Sequence, residues 1–312
     1  MGNATEANNT AIHAALKANP KKRHIITSQV EHSSVLNYCM ALEKDGFRVT
    51  YLPVDRDGLL KLADLEAGLS DNTAIVSLMW ANNETGVLFP VEDIARVCKA
   101  RGVLYHCDAV QAVGKMPVDV SKLSADYLSI TGHKLGAPKG VGALYVHQKA
   151  PFSPYLHGGH QERGRRGGTE NVALIVGLGK AAELAKMNIS GFEHAVRPLR
   201  DALEEGILGG IRDAELNGHK IQRLANTTNI LLRGIDSDAL LMLLDQEGIC
   251  ASSGSACLAD SPDSSHVITA MKPETHAERN SLRLSLGIEH NADSVSEALR
   301  IIKESVAGLR SM

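Results

Sequence analysis

The sequence predicts an α/β protein with a mostly parallel sheet, followed by a smaller α+β lobe. Short β-branched runs alternate with amphipathic stretches between residues 24 and 108, the pattern of repeated βαβ units. The run at residues 74–80 is almost entirely apolar, as expected for a strand that helices cover on both faces. A length of 312 residues exceeds what one small core needs and therefore favours two lobes.

The predicted elements form two groups that meet near residue 188. The first group is a domain of residues 1–188, with strands at 24–28, 49–53, 74–80, 103–108, 127–131 and 141–147 and helices at 34–45, 62–69, 91–101 and 171–187. A polar stretch at residues 188–191 is predicted to end the last of these helices. The second group is a domain of residues 189–312, with helices at 195–206, 238–247 and 294–308 and strands at 226–233 and 281–286.

Charge and cysteine usage exclude several classes of function. There are 33 Lys+Arg and 36 Asp+Glu residues, and a net charge of -3 predicts binding to neither nucleic acid nor an anionic membrane. No apolar run approaches the roughly 18 residues of a membrane span, and residues 1–10 do not resemble an export signal. Five scattered cysteines without a C-x-x-C pair indicate free thiols in the cytoplasm. We predict no metal, because His157 and His160 have no partner at ligand spacing.

Polar side chains follow four of the predicted strands. Ligands of open α/β sheets bind beyond the carboxyl ends of the strands, so these side chains are candidates for a shared site. They are Glu31 and His32, Asn82 to Glu84, Asp108 with Gln111, and residues 129–134.

Each candidate also has an ordinary structural interpretation. Asp108 is equally explained as a helix N-cap, and Asn83 as a turn residue. His32 and Lys134 taken singly would carry little weight. Together they match the needs of pyridoxal 5'-phosphate (PLP), which requires an amine for a Schiff base, a carboxylate at the pyridine nitrogen and donors around the phosphate.

Longer motifs carry a family resemblance. Thr131-Gly132-His133-Lys134 resembles the PLP-lysine segment of the class V aminotransferase group, and residues 105–111 (YHCDAVQ) resemble its Asp-x-x-Gln segment. The run SSGSAC at residues 252–257 resembles the mobile catalytic loop of group I cysteine desulfurases. Residues 79–90 and 158–171 look most like the nitrogen-fixation (NifS-type) branch. The resemblance implies PLP fold type I, the aspartate-aminotransferase-like fold.

The resemblance also implies a role for each matching residue. Lys134 would form the Schiff base, and His32 would stack on the pyridine ring and assist proton transfer. Asn83 would touch the side of the ring and, together with Arg283, the substrate carboxylate. Asp108 would pair with the ring nitrogen and Gln111 with the ring hydroxyl. The remaining cofactor contacts would be with the phosphate, from Ala4 and Thr5 at a helix start, Thr131, His133, and Thr169 of a neighbouring subunit.

The implied activity is that of a cysteine desulfurase. Cys257 would take sulfur from L-cysteine as a persulfide and release L-alanine, and a homodimer would pass the sulfur to an iron-sulfur scaffold protein, with the NifS-type branch pointing to nitrogenase. Glycine and serine around Cys257 suit a segment that moves. The plain alternative is that Cys257 is a small buried hydrophobe.

The sequence departs from the family at two places. Family members normally begin well before the position of Gly2, so we expect a truncated, naturally short or redesigned chain. Residues 258–263 differ from the usual Thr/Ser-rich continuation. Two other functions stay open: a PLP aminotransferase or lyase of the same fold, and a catalytically impaired homologue that acts as a binding partner for iron-sulfur proteins.

Overall fold

The structure is a computed structural model that describes residues 1–254, 265–274 and 279–311. The predicted catalytic residue Cys257 lies outside these described residues. Two compact units divide the chain. The first comprises Met1–Pro53, Leu60–Ala81 and Phe89–Ser190, and the second comprises Val54–Leu59, Asn82–Leu88 and Gly191–Met312.

The first unit is built on one sheet. Within the described ranges, its six strands lie in the order β2-β1-β3-β4-β5-β6, with β1 to β5 parallel and β6 antiparallel to β5. The strands are β1 His24–Ser28, β2 Arg48–Leu52, β3 Thr73–Met79, β4 Leu104–Asp108, β5 Tyr127–Thr131 and β6 Gly142–Val146. The predicted α/β class with a mostly parallel sheet is confirmed.

Helices follow most of these strands. They are α1 Ala4–Ala18, α2 Ser33–Lys44, α3 Leu62–Gly68, α4 Val91–Ala100, a 3-10 helix Gly132–Leu135 and α5 Gln161–Gly164. Helix α1 begins where the Asn3 side chain accepts a hydrogen bond from the Glu6 amide, as an N-cap does. Alanines at 7, 11, 14 and 15 give α1 a fully buried face, which lets it pack closely on β3 to β6.

The long helix α6 corrects one prediction. It runs without a break over Val172–Gly210, so the predicted interruption at residues 188–191 was wrong. Asparagine, serine and glycine there lower helix propensity by at most about 1 kcal/mol each, and none of them removes a backbone donor as proline does. Buried contacts of Phe192 and Val196 directly beyond the stretch offset that cost. In the described residues no helix combines the length and apolarity needed to cross a membrane.

The second unit has an α+β arrangement. In its described part, three antiparallel strands lie in the order β7-β8-β9. The elements are β7 Ala214–Leu216, β8 Thr227–Leu232, α7 Ser237–Gln246, α8 His266–Met271, β9 Ser281–Ser285 and α9 Ala292–Ser311. Its aliphatic core joins β8, β9, α7, α9 and the second half of α6. Strand β7 was not predicted, because three residues are too few to show an alternating pattern.

Candidate active site

The carboxyl edge of the first-unit sheet brings together five of the ten predicted cofactor residues. Strands β1, β3, β4 and β5 are adjacent and parallel, so their carboxyl ends lie at one edge. His32 follows β1, and Asp108 is the last residue of β4. Thr131 ends β5, and His133 and Lys134 follow it in the 3-10 helix. Chain segments that are distant in sequence are thereby brought to the same edge.

Asp108 is a buried carboxylate, with 6% of its surface exposed. Its Oδ2 accepts a hydrogen bond from Asn8 Nδ2 at 2.7 Å, and its Oδ1 accepts one from the Val110 amide at 3.0 Å. Burial raises the pKa of Asp108, while these two hydrogen bonds and nearby His32 counteract that rise. A cationic ring N–H would stabilise the charged carboxylate further, so the group suits a protonated heterocycle.

Asn8 is a residue of this site that the sequence analysis missed. Its Nδ2 also donates to Ser34 Oγ at 2.8 Å, and its buried Oδ1 has no hydrogen-bond partner among the described residues. The available signal was an asparagine on the buried alanine face of α1, because a buried amide needs partners. Its partners, however, lie 26 and 100 residues away in sequence.

His32 is fixed by the start of α2. It is the N-cap residue, and its Nδ1 accepts a hydrogen bond from the Ser34 amide at 3.1 Å and contacts Ser34 Oγ at 2.9 Å. Because an N–H donates to Nδ1, the neutral ring carries its proton on Nε2. A continuous chain of hydrogen bonds therefore joins His32 through Ser34 and Asn8 to Asp108.

Three further predicted cofactor residues have defined partners. Gln111 Oε1 accepts a hydrogen bond from Lys115 Nζ at 2.5 Å. Thr131 Oγ1 and His133 Nδ1 lie 3.1 Å apart, with Thr131 buried and His133 exposed. Partial burial, together with the positive charges of Lys134 and Lys139, lowers the pKa of His133, so its imidazole is neutral near pH 7.

Glu31 is a buried acid at the same edge. Its Oε1 accepts hydrogen bonds from the Met79 amide at 3.0 Å and from Ser28 Oγ at 2.8 Å, which tie together the ends of β1 and β3. Burial raises the pKa of Glu31 to about 8, so the carboxyl group holds its proton at neutral pH. Glu31 thus adds no net negative charge beside Asp108.

The other predicted phosphate contacts lie in two places, at the start of α1 and on the wall of a cavity. Ala4 and Thr5 are the first two residues of α1, where backbone amides have no partner within the helix. Thr169 is exposed on the wall of a cavity of about 500 Å³ that Arg166 and Asn171 also line. The contact of Thr169 with the cofactor phosphate of a neighbouring subunit stays a prediction.

The predicted substrate residues lie in the second unit. Arg283 is in β9, and its Nη1 donates to the main-chain oxygen of Asn83 at 3.0 Å. The main chain of Arg283 also pairs with that of Ser252. The buried Oδ1 of Asn83 has no hydrogen-bond partner in the part of the chain that the structure describes.

Comparison with known proteins identifies the family. Residues 1–297 match the family described as aminotransferase class-V. The chain belongs to this family. This class-V chain is 50% identical over 308 residues to "Cysteine desulfurase 2" of Trichormus variabilis, covering 99% of the chain and 77% of the relative.

Two other similarities concern the NifS-type branch. Over the same shares of both proteins, the class-V chain is 47% identical to "Cysteine desulfurase NifS" of Azotobacter vinelandii. A solved structure called "NIFS-LIKE PROTEIN" superposes with a TM-score of 0.91 at 36% identity, covering 99% of this chain and 82% of that one. The resemblance to NifS-type cysteine desulfurases is therefore confirmed.

Proposed function

We propose that this chain is a PLP-dependent cysteine desulfurase, which converts L-cysteine to L-alanine and keeps the sulfur as a persulfide on Cys257. The geometric observation that carries the proposal is the buried Asp108 carboxylate, held by Asn8 at the same sheet edge as Lys134. The relatives that share about half of this sequence supply the reaction, because they are named cysteine desulfurases.

The residues of the first unit fit the cofactor. Asp108 would hold the pyridine nitrogen, Gln111 the ring hydroxyl, and Lys134 the aldehyde carbon. The phosphate would be held by the amides at the start of α1, with Ala4, Thr5, Thr131, His133 and the neighbouring subunit's counterpart of Thr169 as further contacts. When bound, PLP withdraws electrons from the substrate α-carbon and thereby makes the bond between Cβ and sulfur cleavable.

Proton movement falls to two side chains. His32 presents a proton at Nε2, because its Nδ1 is held by the Ser34 amide. The acceptor for the substrate α-proton is therefore the Lys134 amine, and His32 serves as the donor. The substrate carboxylate would be bound by Arg283 with Asn83, which already contact each other.

The sulfur step belongs to Cys257. The Cys257 thiolate attacks the substrate sulfur, an S–S bond forms, and the electron pair of the substrate Cβ–S bond returns to carbon. That carbon gains a proton and becomes the methyl group of L-alanine, which is then released. L-cysteine and the Cys257 thiol thus give L-alanine and a persulfide without any external oxidant or reductant.

The direct test is turnover of L-cysteine by the purified protein with PLP and a thiol reductant. We expect alanine and sulfide to appear in equal amounts, since the reductant removes the persulfide sulfur after each cycle. Amino-acid analysis and a sulfide assay measure the two products, and protein without L-cysteine is the control. Pyruvate and ammonia in place of alanine would indicate a lyase, and amino transfer to an added keto acid would indicate an aminotransferase.

We also propose a homodimer, supported by an exposed apolar face on α6. Val172 and Val176 are 67% and 66% exposed, and Ile175 and Met187 on the same helix are also exposed. Apolar side chains grouped in this way on a surface mark an interaction site. A second copy of the chain is the partner that would bring the residue corresponding to Thr169 to a neighbouring site.

Val176→Asp is expected to convert the dimer to monomer. A charge buried in an apolar interface without a partner costs several kcal/mol, enough to dissociate a micromolar complex. Light scattering at micromolar concentration measures the mass. Ile221→Asp, which places the same charge at a 74% exposed residue of the second unit, should leave the dimer intact. Wild-type protein that is monomeric under these conditions would contradict the proposal.

The sulfur acceptor and the location complete the proposal. We propose an iron-sulfur scaffold protein as acceptor, with nitrogenase assembly suggested by the relative named NifS. A cytoplasmic location is supported by the thiols of Cys39, Cys98, Cys107 and Cys250, which are free cysteines.

A further inference from the structure

Glu84 is a buried acid of the second unit that the proposed mechanism does not use. Its main chain is fixed by two hydrogen bonds: its amide donates to Asn82 Oδ1 at 2.9 Å, and its carbonyl accepts from Asn229 Nδ2 at 3.3 Å. Its side chain is completely buried, and burial raises the pKa of its carboxyl group. The position of this carboxyl group is therefore set by the turn that follows β3.

The Glu84 carboxyl group contacts Ser265, which lies directly after residues 255–264. Ser265 Oγ donates to Glu84 Oε2 at 2.5 Å. The same Oγ accepts a hydrogen bond from the Ile268 amide at 3.1 Å and so caps α8. Glu84 thus fixes the start of a helix, and with it the point where the chain leaves the segment.

Gly254, which lies directly before that segment, is close to the same carboxyl group. A Cβ atom added at Gly254 would lie 3.3 Å from Glu84 Oε2 and 3.2 Å from Ser265 Cβ, closer than most side chains come. Gly254 is also held by Ser252, whose Oγ donates to the Gly254 carbonyl oxygen at 3.0 Å. The two described residues on either side of that segment, Gly254 and Ser265, are therefore both close to one carboxyl group.

Glu84 also connects these ends to the predicted substrate arginine. Its neighbour Asn83 accepts the hydrogen bond from Arg283 Nη1, and the Arg283 main chain pairs with Ser252. One turn of the chain consequently holds Arg283 and both flanks of the segment that contains Cys257.

We propose that Glu84 is a positioning residue for the sulfur-transfer step, because it binds Ser265 and lies beside Gly254, the two residues that flank the segment with Cys257. This inference rests on the proposed desulfurase function. A tethered nucleophile reacts at a rate set by how often it reaches the attack geometry, and a displacement of about 1 Å can cost about 100-fold in rate. Loss of the anchor should therefore slow the attack by Cys257 and leave cofactor binding intact.

The decisive variants are Glu84→Asp and Glu84→Gln. Aspartate keeps the acid but is one methylene shorter. Its carboxyl group therefore cannot both accept the Ser265 hydrogen bond and fill the space beside Gly254. Glutamine keeps the length and can still accept the Ser265 hydrogen bond. We expect single-turnover persulfide formation on Cys257, followed by mass spectrometry, to be 10- to 100-fold slower in Glu84→Asp and within about threefold of wild type in Glu84→Gln. The visible cofactor band should be the same in both variants.

A second measurement does not require activity. Limited proteolysis and iodoacetamide labelling of the enzyme without substrate report how firmly residues 255–264 are held. Cleavage there and labelling of Cys257 should rise several-fold in Glu84→Asp, while labelling of exposed Cys250 stays constant as an internal control. Glu247→Ala, at an exposed acid of the same unit, should change neither rate.

Each outcome decides between the claims. Wild-type rates of persulfide formation, cleavage and labelling in Glu84→Asp would overturn the role of Glu84. If wild-type protein forms no persulfide, the desulfurase function fails, and proteolysis and labelling alone still test the anchor. Equal losses in Glu84→Gln and Glu84→Asp would show that the length of the side chain does not decide the rate, and would also overturn the proposal.

Discussion

Cys257→Ala should abolish persulfide formation and lower turnover of L-cysteine by roughly a thousand-fold or more, since the variant lacks the only proposed sulfur nucleophile. The visible band of the cofactor should persist, because the proposed function gives Cys257 no part in holding PLP. Alanine and sulfide release measures turnover, and an absorbance spectrum measures the bound cofactor.

Cys250→Ala is the matched control for this prediction. Cys250 is an exposed free cysteine seven positions earlier in the chain, and its loss should leave turnover within about twofold of wild type. Cys257→Ala protein that turns over L-cysteine at the wild-type rate would eliminate the persulfide route. The interpretation of Cys257 as an incidental residue of a lyase or aminotransferase would then be favoured.

Lys134→Ala should remove the visible band and reduce activity to a comparable extent. The band arises from a covalent link between PLP and an enzyme amine, and alanine has no amine to form it. Spectra recorded after dialysis against PLP measure the link, and borohydride reduction followed by peptide mapping identifies the linked residue.

Lys149→Ala, at an exposed lysine just beyond β6, controls for the loss of a positive charge. This variant should keep both the band and the activity. A reduced peptide that contains another lysine would reject the assignment of Lys134. A wild-type protein that stays colourless with PLP would favour the binding-partner function instead.

Much of the first unit was predictable from local pattern. Strands β1 and β5 lie where the alternating β-branched runs placed them, and the other predicted strands shift by only a residue or so at their ends. The reason is that strands buried on both faces appear as short apolar runs, while the helices between them show a buried face with a period of 3.6 residues, and a sequence records both patterns directly. The polar residues that follow β1, β4 and β5 could also be predicted to lie close together, because the carboxyl ends of parallel strands meet at one edge of the sheet.

Other features depend on contacts that no local pattern records. The hydrogen bond from Asn8 to Asp108 joins residues 100 positions apart in sequence. The raised pKa of Glu31 depends on the complete burial of its side chain. The continuity of α6 through Asn188 and Gly191 depends on packing that offsets weak helix propensity. The assignment of Asn82–Leu88 to the second unit likewise follows from tertiary contacts.

The sequence by itself determined the α/β class and the membership of the class-V family, and it supplied the set of residues predicted to hold PLP. Those properties are carried by residue type and spacing, which are local. Only the tertiary structure decided which buried polar groups meet: Asn8 with Ser34, Asn8 with Asp108, and Glu84 with Ser265. A buried polar group takes its partner from whatever the fold brings within about 3 Å, and that choice is made by packing between distant segments.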